Sequence, residues 1–190
     1  MNKGKLKIYY GPMFAGKSLN LIKDIKNNTE KNKLVFKPKL DTRTINKIKS
    51  RDGSEYASIS IKNGSEIFRH LNDIVNIIYI DEINFFDDEL VVSIKKILEK
   101  GIDIVLSGLD KDYRTEYFDH VKSLIDIADE KIELKAKCFV CGEPSEFTSR
   151  YINGEVDSKD SETLICDSDS SRVEYKTLCK KHHPLIEERK

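Results

Sequence analysis

The sequence predicts an α/β fold, a parallel sheet flanked by helices, followed by a small C-terminal β module organised by a metal ion. Three observations predict it. Over residues 1–136, short apolar runs ending in glycine or acidic residues alternate with stretches whose apolar residues recur at helical spacing. A glycine-rich turn from Gly11 to Ser18 separates the first run from the first such stretch. In residues 137–190, two pairs of metal-ligand residues, Cys138 with Cys141 and Cys179 with His182, bracket a β-like segment.

In order along the chain, Leu6-Lys7-Ile8-Tyr9-Tyr10 reads as a buried strand that stops at Gly11. Residues 18–28 carry Leu19, Leu21, Ile22 and Ile25, the stripe of an amphipathic helix. Leu34-Val35-Phe36 is a second strand ended by Pro38, and residues 39–54 are polar and aperiodic, as expected of a mobile loop. Residues 57–61 alternate like a strand, and residues 65–71 look helical. The apolar run 74–80 ends in Asp81-Glu82, as a central parallel strand would. Residues 87–100 repeat Leu90, Val91, Ile94, Ile97 and Leu98 at helical spacing up to the stop at Gly101, and 102–106 is the next buried strand. Ligands of such sheets bind at the carboxyl ends of the strands, where the polar candidates lie.

Composition narrows the partners. Lys plus Arg and Asp plus Glu both number 33, so no global field draws the chain to nucleic acid or an anionic membrane. Residues 1–5 lead straight into a strand pattern, and no apolar run reaches the ~18 residues that spanning requires. The expectation is a soluble, cytoplasmic protein with no nucleic-acid or membrane partner. A hydrophobic content of 38% suffices for a core. Two of the 4 cysteines form a C-x-x-C pair, which fits metal ligation in a reducing compartment better than disulfides.

Gly11-Pro12-Met13-Phe14-Ala15-Gly16-Lys17-Ser18 is a complete G-x-x-x-x-G-K-S phosphate loop, or P-loop. Its glycines let backbone N–H groups converge on phosphate oxygens, Lys17 reaches the β- and γ-phosphates, and the Ser18 hydroxyl serves Mg2+. A P-loop NTPase-like sheet binding a nucleoside triphosphate follows. Asp81 stands where such proteins keep the carboxylate that organises Mg2+. Glu82, expected on the other side of the strand, would act as general base toward an acceptor hydroxyl, would merely orient it, or would polarise water in an ATPase. In the loop, the stretch Asp41-Thr42-Arg43 and Arg51 supply charge that could settle on the phosphates, Arg43 ranking above Arg51.

Cys138-x2-Cys141 and Cys179-x2-His182 are separated by 37 residues and supply three thiolates and one imidazole to a tetrahedral zinc. The module is therefore expected to be a zinc ribbon. His183, at looser spacing, is the alternative fourth ligand. Cys166 has no ligand neighbour and reads as a free thiol. The Ser- and Asp-rich residues 157–171 read as a flexible loop.

These motifs together resemble the type II, zinc-containing thymidine kinases. The likeness rests on the P-loop, Asp41-Thr42-Arg43, Asp81-Glu82-Ile83-Asn84-Phe85-Phe86, Gly108-Leu109-Asp110-Lys111-Asp112-Tyr113 and the ribbon ligands, in order across nearly the whole chain. The resemblance implies transfer of the γ-phosphoryl group of ATP to the 5'-hydroxyl of thymidine, with deoxyuridine as a further acceptor. It implies Glu82 as base, Asp41 and Arg43 as catalytic partners, and Ser18 and Asp81 around Mg2+. Ile83 and Asn84 join the nucleotide site. Met13, Phe85, Leu109, Tyr113, Phe118 and Thr148 would wall the thymidine pocket, with Tyr175 on a lasso-like loop closing over it; read without the resemblance, these are core residues. A homotetramer inhibited by thymidine triphosphate is implied as well. Two departures stand out: Asn84 replaces the usual Gln, and Ile165-Cys166-Asp167-Ser168-Asp169-Ser170-Ser171 fills the place of a Gly-Gly pair. The other readings are a nucleic-acid-stimulated ATPase using the ribbon as reader, and a nucleotide sensor derived from a kinase.

Overall fold

Short runs of β-branched and aromatic residues form a sheet, and helically spaced Leu and Ile form its covers. In the computed structural model, which describes residues 3–29, 32–158 and 172–186, the α/β part opens with β1 (Leu6–Tyr10), α1 (Lys17–Asn27) and β2 (Lys33–Pro38). Next come β3 (Lys47–Lys49), β4 (Glu55–Ala57), β5 (Ile59–Ile61), β6 (Ile77–Ile80) and α2 (Asp88–Glu99). It closes with β7 (Asp103–Gly108), α3 (Asp119–Ile127) and β8 (Glu130–Glu133). The six-stranded sheet has the order β5-β2-β6-β7-β1-β8, parallel at every pairing.

Because side chains alternate across a strand, each strand feeds two cores. Ile8, Ile78, Ile80 and Leu106 pack in one cluster with Leu90 and Ile94 of α2 and Leu124 of α3. Tyr9, Val35, Tyr79 and Val105 pack in the other with Leu21, Ile22 and Ile25 of α1. Both layers brace β1, β6 and β7, whose carboxyl ends carry Gly11, Asp81 and Leu109. Among the described residues no helix is long and apolar enough to cross a membrane.

Three local readings are corrected. Residues 39–54 are not simply a loop: β3 pairs antiparallel with β4, and Ile48 is buried in the α1-side cluster. One buried isoleucine among lysines gives no alternation to read. The strand at 57–61 is broken at Ser58, whose N–H donates to the Asn46 carbonyl at 2.9 Å instead of continuing the ladder. The helical reading at 65–71 is a 3-10 turn, Gly64–Arg69. Residues 119–133, which carried no assignment, hold α3 and β8.

The C-terminal part contains β9 (Ala136–Lys137), β10 (Pro144–Ser145), β11 (Phe147–Ile152), β12 (Glu155–Val156) and β13 (Val173–Leu178). β11 lies between β12 and β13, antiparallel to both, and β9 pairs with β10. Residues 159–171, which include Cys166 and most of the expected flexible loop, lie outside the described residues.

Gly11 shows how tightly the sheet edge is closed. Its φ is 140°, and an added Cβ would sit 2.1 Å from the Leu134 carbonyl oxygen. Gly11→Ala is therefore expected to destabilise the fold by about 3 kcal/mol or more. In a melting experiment that is a fall in Tm of roughly 6–12 °C; an unchanged Tm would contradict the account.

Candidate active site

β1 ends at Gly11 because the chain there turns through conformations that strands do not use. Gly11, Phe14 and Gly16 have φ of 140°, 64° and 80°, and α1 begins at Lys17. This winding gathers backbone N–H groups at a helix start, a concavity suited to anionic oxygens. Lys17 is buried, and its Nζ donates to the Pro12 carbonyl at 2.6 Å. Burial lowers its pKa, against the pull of the nearby Glu82 and Asp81 charges.

Asp81 follows β6 and is buried. Its Oδ1 accepts the Ser18 hydroxyl at 3.2 Å and the Ser107 hydroxyl. Burial, with the charge of Glu82 behind it, pushes the Asp81 carboxyl up to about 6. A hydroxyl and a carboxylate thus converge beside the phosphate loop, a donor set suited to a divalent cation.

Glu82 is not aimed by strand alternation, as the sequence reading expected. It occupies the left-handed region, φ 52° and ψ 45°, and heads the 3-10 turn Ile83–Phe85. From there its Oε1 accepts from Arg43 Nη2 at 2.6 Å, while Arg43 Nε donates to Asp41 Oδ1 at 2.6 Å. Asp41, Arg43 and Glu82 therefore form one cluster. Arg51 stands apart, its guanidinium 3.5 Å from the Phe14 ring centroid. Asn84 Oδ1 accepts the Leu109 N–H at 3.0 Å, so this departure from the usual Gln braces the pocket wall. Ile83 is core, packed where a Cβ on Gly108 would meet it at 2.5 Å.

A cleft of about 990 Å3 runs along these groups. Met13, Phe85, Leu109, Tyr113, Phe118, Thr148 and Tyr175 all line it, as do Phe14, Gly16, Lys17, Ser18, Asp41, Arg43, Glu82 and Asn84, with Tyr175 reaching it from strand β13, opposite Arg150, and not from a loop. Gly11, Pro12, Ala15, Asp81 and Ile83 do not reach its wall. The two parts of the chain meet here: the Met13 N–H donates to Thr148 Oγ1 at 3.0 Å. Arg150 was missed. It is buried, ion-paired with Asp157, and its guanidinium lies 3.9 Å from the Tyr113 ring centroid, while the Tyr113 hydroxyl donates to the Ser158 carbonyl at 3.1 Å. A lone arginine in a short β-like stretch carries no sequence signal.

At the far end, the ligand atoms of Cys138, Cys141, Cys179 and His182 all lie within 4.8 Å of one another. Cys141 Sγ is 3.8 Å from Cys179 Sγ, and His182 Nδ1 is 3.7 and 3.3 Å from Cys138 Sγ and Cys179 Sγ. Tetrahedral zinc, with Zn–S of about 2.3 Å, sets sulfurs about 3.8 Å apart, so the four residues could hold it. Burial opposes ionisation of Cys138, but backbone N–H groups of Cys179, Cys141 and Val140 draw its thiol down to about 6. His183 is not a fourth ligand: its Nε2 lies 3.2 Å from the Thr148 carbonyl, and its Nδ1 accepts the Leu185 N–H at 3.3 Å.

The thymidine kinase family model matches residues 4–183. The chain belongs to the thymidine kinase family. A thymidine kinase of Mycoplasma genitalium is 36% identical over 187 residues, covering 97% of this chain and 85% of that protein. Among solved structures, that of the Legionella pneumophila ATPase DotB overlays with a TM-score of 0.44 at 9% identity, over 76% of this chain and 44% of that one. As a member of the thymidine kinase family, the chain is an ATP-dependent nucleoside kinase.

Metal analysis of the purified kinase is expected to find about one zinc per chain, falling to none in Cys179→Ser; zinc in that variant at the wild-type level would contradict the site. The raised pKa of Asp81 gives a second test. The folded state holds its proton more tightly than the unfolded chain, so stability is lost as pH rises from about 4 through about 6. Magnesium-free Asp81→Asn escapes that loss. Its Tm is expected to exceed the wild type's at pH 8 and to approach it at acid pH; a difference independent of pH would count against the buried carboxylate.

Proposed function

We propose that the protein transfers the γ-phosphoryl group of ATP to the 5'-hydroxyl of thymidine, giving thymidine monophosphate and ADP, with deoxyuridine as a further acceptor. One observation carries the proposal: a single cleft is lined by Gly16, Lys17 and Ser18 of the phosphate loop, by Glu82 and by the apolar residues Met13, Phe85, Leu109 and Phe118 with Tyr113, Thr148 and Tyr175. A triphosphate and a flat, uncharged base can therefore occupy it together.

The N–H groups between Gly11 and Ser18 would cradle the phosphates, with Lys17 turning from Pro12 toward them. Magnesium held by Ser18 and Asp81 would neutralise charge on the phosphate oxygens. Glu82 would take the proton of the 5'-hydroxyl as that oxygen attacks the γ-phosphorus and the bond to the β,γ-bridging oxygen breaks. In the structure Glu82 is capped by Arg43, whose side chain is 62% exposed and free to swing onto the phosphates. That motion would uncover the base and bring a cation to the transferring group, with Asp41 steering it. The structural zinc would tie Cys138 and Cys141, beyond β9, to Cys179 and His182, beyond β13. It would thereby brace the β11 and β13 wall that presents Thr148 and Tyr175. On family grounds we place the reaction in the cytoplasm and expect a homotetramer inhibited by thymidine triphosphate.

A screen of nucleosides with ATP and Mg2+ tests the proposal. ADP formation is expected to depend on added thymidine, and absence of a monophosphate product with every deoxynucleoside would overturn it. Glu82→Gln should lower kcat about 10^2- to 10^4-fold at little change in KM; full turnover in that variant would remove Glu82 as base.

A further inference from the structure

The reaction above makes no use of Lys37, yet its ammonium is placed with care. Lys37 is the fifth residue of β2, and strand alternation puts it on the face of Val35, under the β3–β4 hairpin. Its side chain is 1% exposed. The Nζ donates to the Thr44 carbonyl at 2.7 Å and to Thr44 Oγ1 at 2.9 Å, and it pairs with Asp41 Oδ2 at 2.9 Å. Three ammonium protons thus meet three oxygens. A buried ammonium is costly unless matched in this way, and an apolar residue of similar volume would fill the space without that cost.

The matching partners all belong to the segment carrying Arg43. From the interior outward the charges alternate: Lys37, Asp41, Arg43, Glu82. The contacts are 2.9, 2.6 and 2.6 Å, and side-chain exposure rises from 1% at Lys37 and 8% at Asp41 to 62% at Arg43, then falls to 15% at Glu82. We infer that Lys37 is a positioning residue for phosphoryl transfer, acting on Arg43 through Asp41. Its ammonium shares the charge of Asp41, so the guanidinium of Arg43 keeps positive charge to direct at an anion in the cleft. Its two bonds to Thr44 fix the segment on the far side of Arg43. Without Lys37, Asp41 alone would neutralise Arg43 and the segment would lose its inner anchor.

The inference rests on the roles given above to Arg43 and Glu82, and a double-mutant cycle on the zinc-loaded protein separates the two. The kcat and thymidine KM are measured with ATP and Mg2+ for the wild type, Lys37→Met, Arg43→Ala and the double variant. Lys37→Met should lower kcat about 10- to 100-fold while thymidine KM stays within about twofold, because the change displaces a cation and leaves the nucleoside wall intact. In the Arg43→Ala background the same substitution should change kcat less than about twofold. Equal losses in both backgrounds, or no loss in either, overturn the positioning role and leave the kinase reading standing. Arg43→Ala with wild-type kcat, or a wild type that turns over no nucleoside, overturns the reading and the inference with it. If Lys37→Met does not fold, Lys37→Gln, which removes the charge but keeps a donor, replaces it, with the same non-additivity expected and additivity counting against the inference.

Discussion

The hydrogen bond from Ser18 to Asp81 joins the first turn of α1 to the end of β6, and the rest of the site is arranged around it. It exists because β7 alone separates β1 from β6, so that the phosphate loop and the acidic pair emerge close together at one sheet edge. A buried carboxylate there is intrinsically unfavourable, as its raised pKa records. Two hydroxyls, of Ser18 and Ser107, hold it in place, and the burial that makes its charge costly is what would favour pairing with a cation.

The same logic extends along the cleft. Lys37, Asp41, Arg43 and Glu82 alternate in sign, and each charge is matched by the next. The interior end is fully bonded, while Arg43 at the cleft is the exposed member of the series. At the opposite end, β11 and β13 form one wall, tied to the phosphate loop by the bond between Met13 and Thr148. Arg150, ion-paired with Asp157 and itself part of the cleft lining, lies against the Tyr113 ring. Thus the C-terminal module forms part of the cleft as well as carrying the Cys and His cluster.

What could be read from residues alone followed the strength of local signals. The P-loop between β1 and α1, Asp81 at the end of β6 and the clustered Cys and His residues each carry their signal in contiguous spacing, and each lies where that spacing implied. Strands bounded by glycine or acidic residues were legible for the same reason. The hairpin at Ile48 was not, because one buried residue among lysines has no period. The aim of Glu82 was misread because a left-handed backbone replaced strand alternation. Lys37 and Arg150 were invisible because their partners lie close in sequence but outside any helix or strand: Lys37 meets Asp41 and Thr44, four and seven residues on, and Arg150 meets Asp157, seven residues on, only once the chain turns back on itself. The apolar lining of the cleft was legible only through family resemblance, since Leu109 or Phe118 looks like any core residue until the cleft is seen.

The central claim is that the phosphoryl group passes to the nucleoside oxygen and not to water. ATP carrying oxygen-18 on its γ-phosphoryl group, mixed with the protein, Mg2+ and thymidine, tests this most directly by mass spectrometry of the products. The account predicts thymidine monophosphate retaining the heavy phosphoryl oxygens, with the ester oxygen unlabelled and ADP formed in equal amount. Label found only in inorganic phosphate, at a rate indifferent to thymidine, would contradict it.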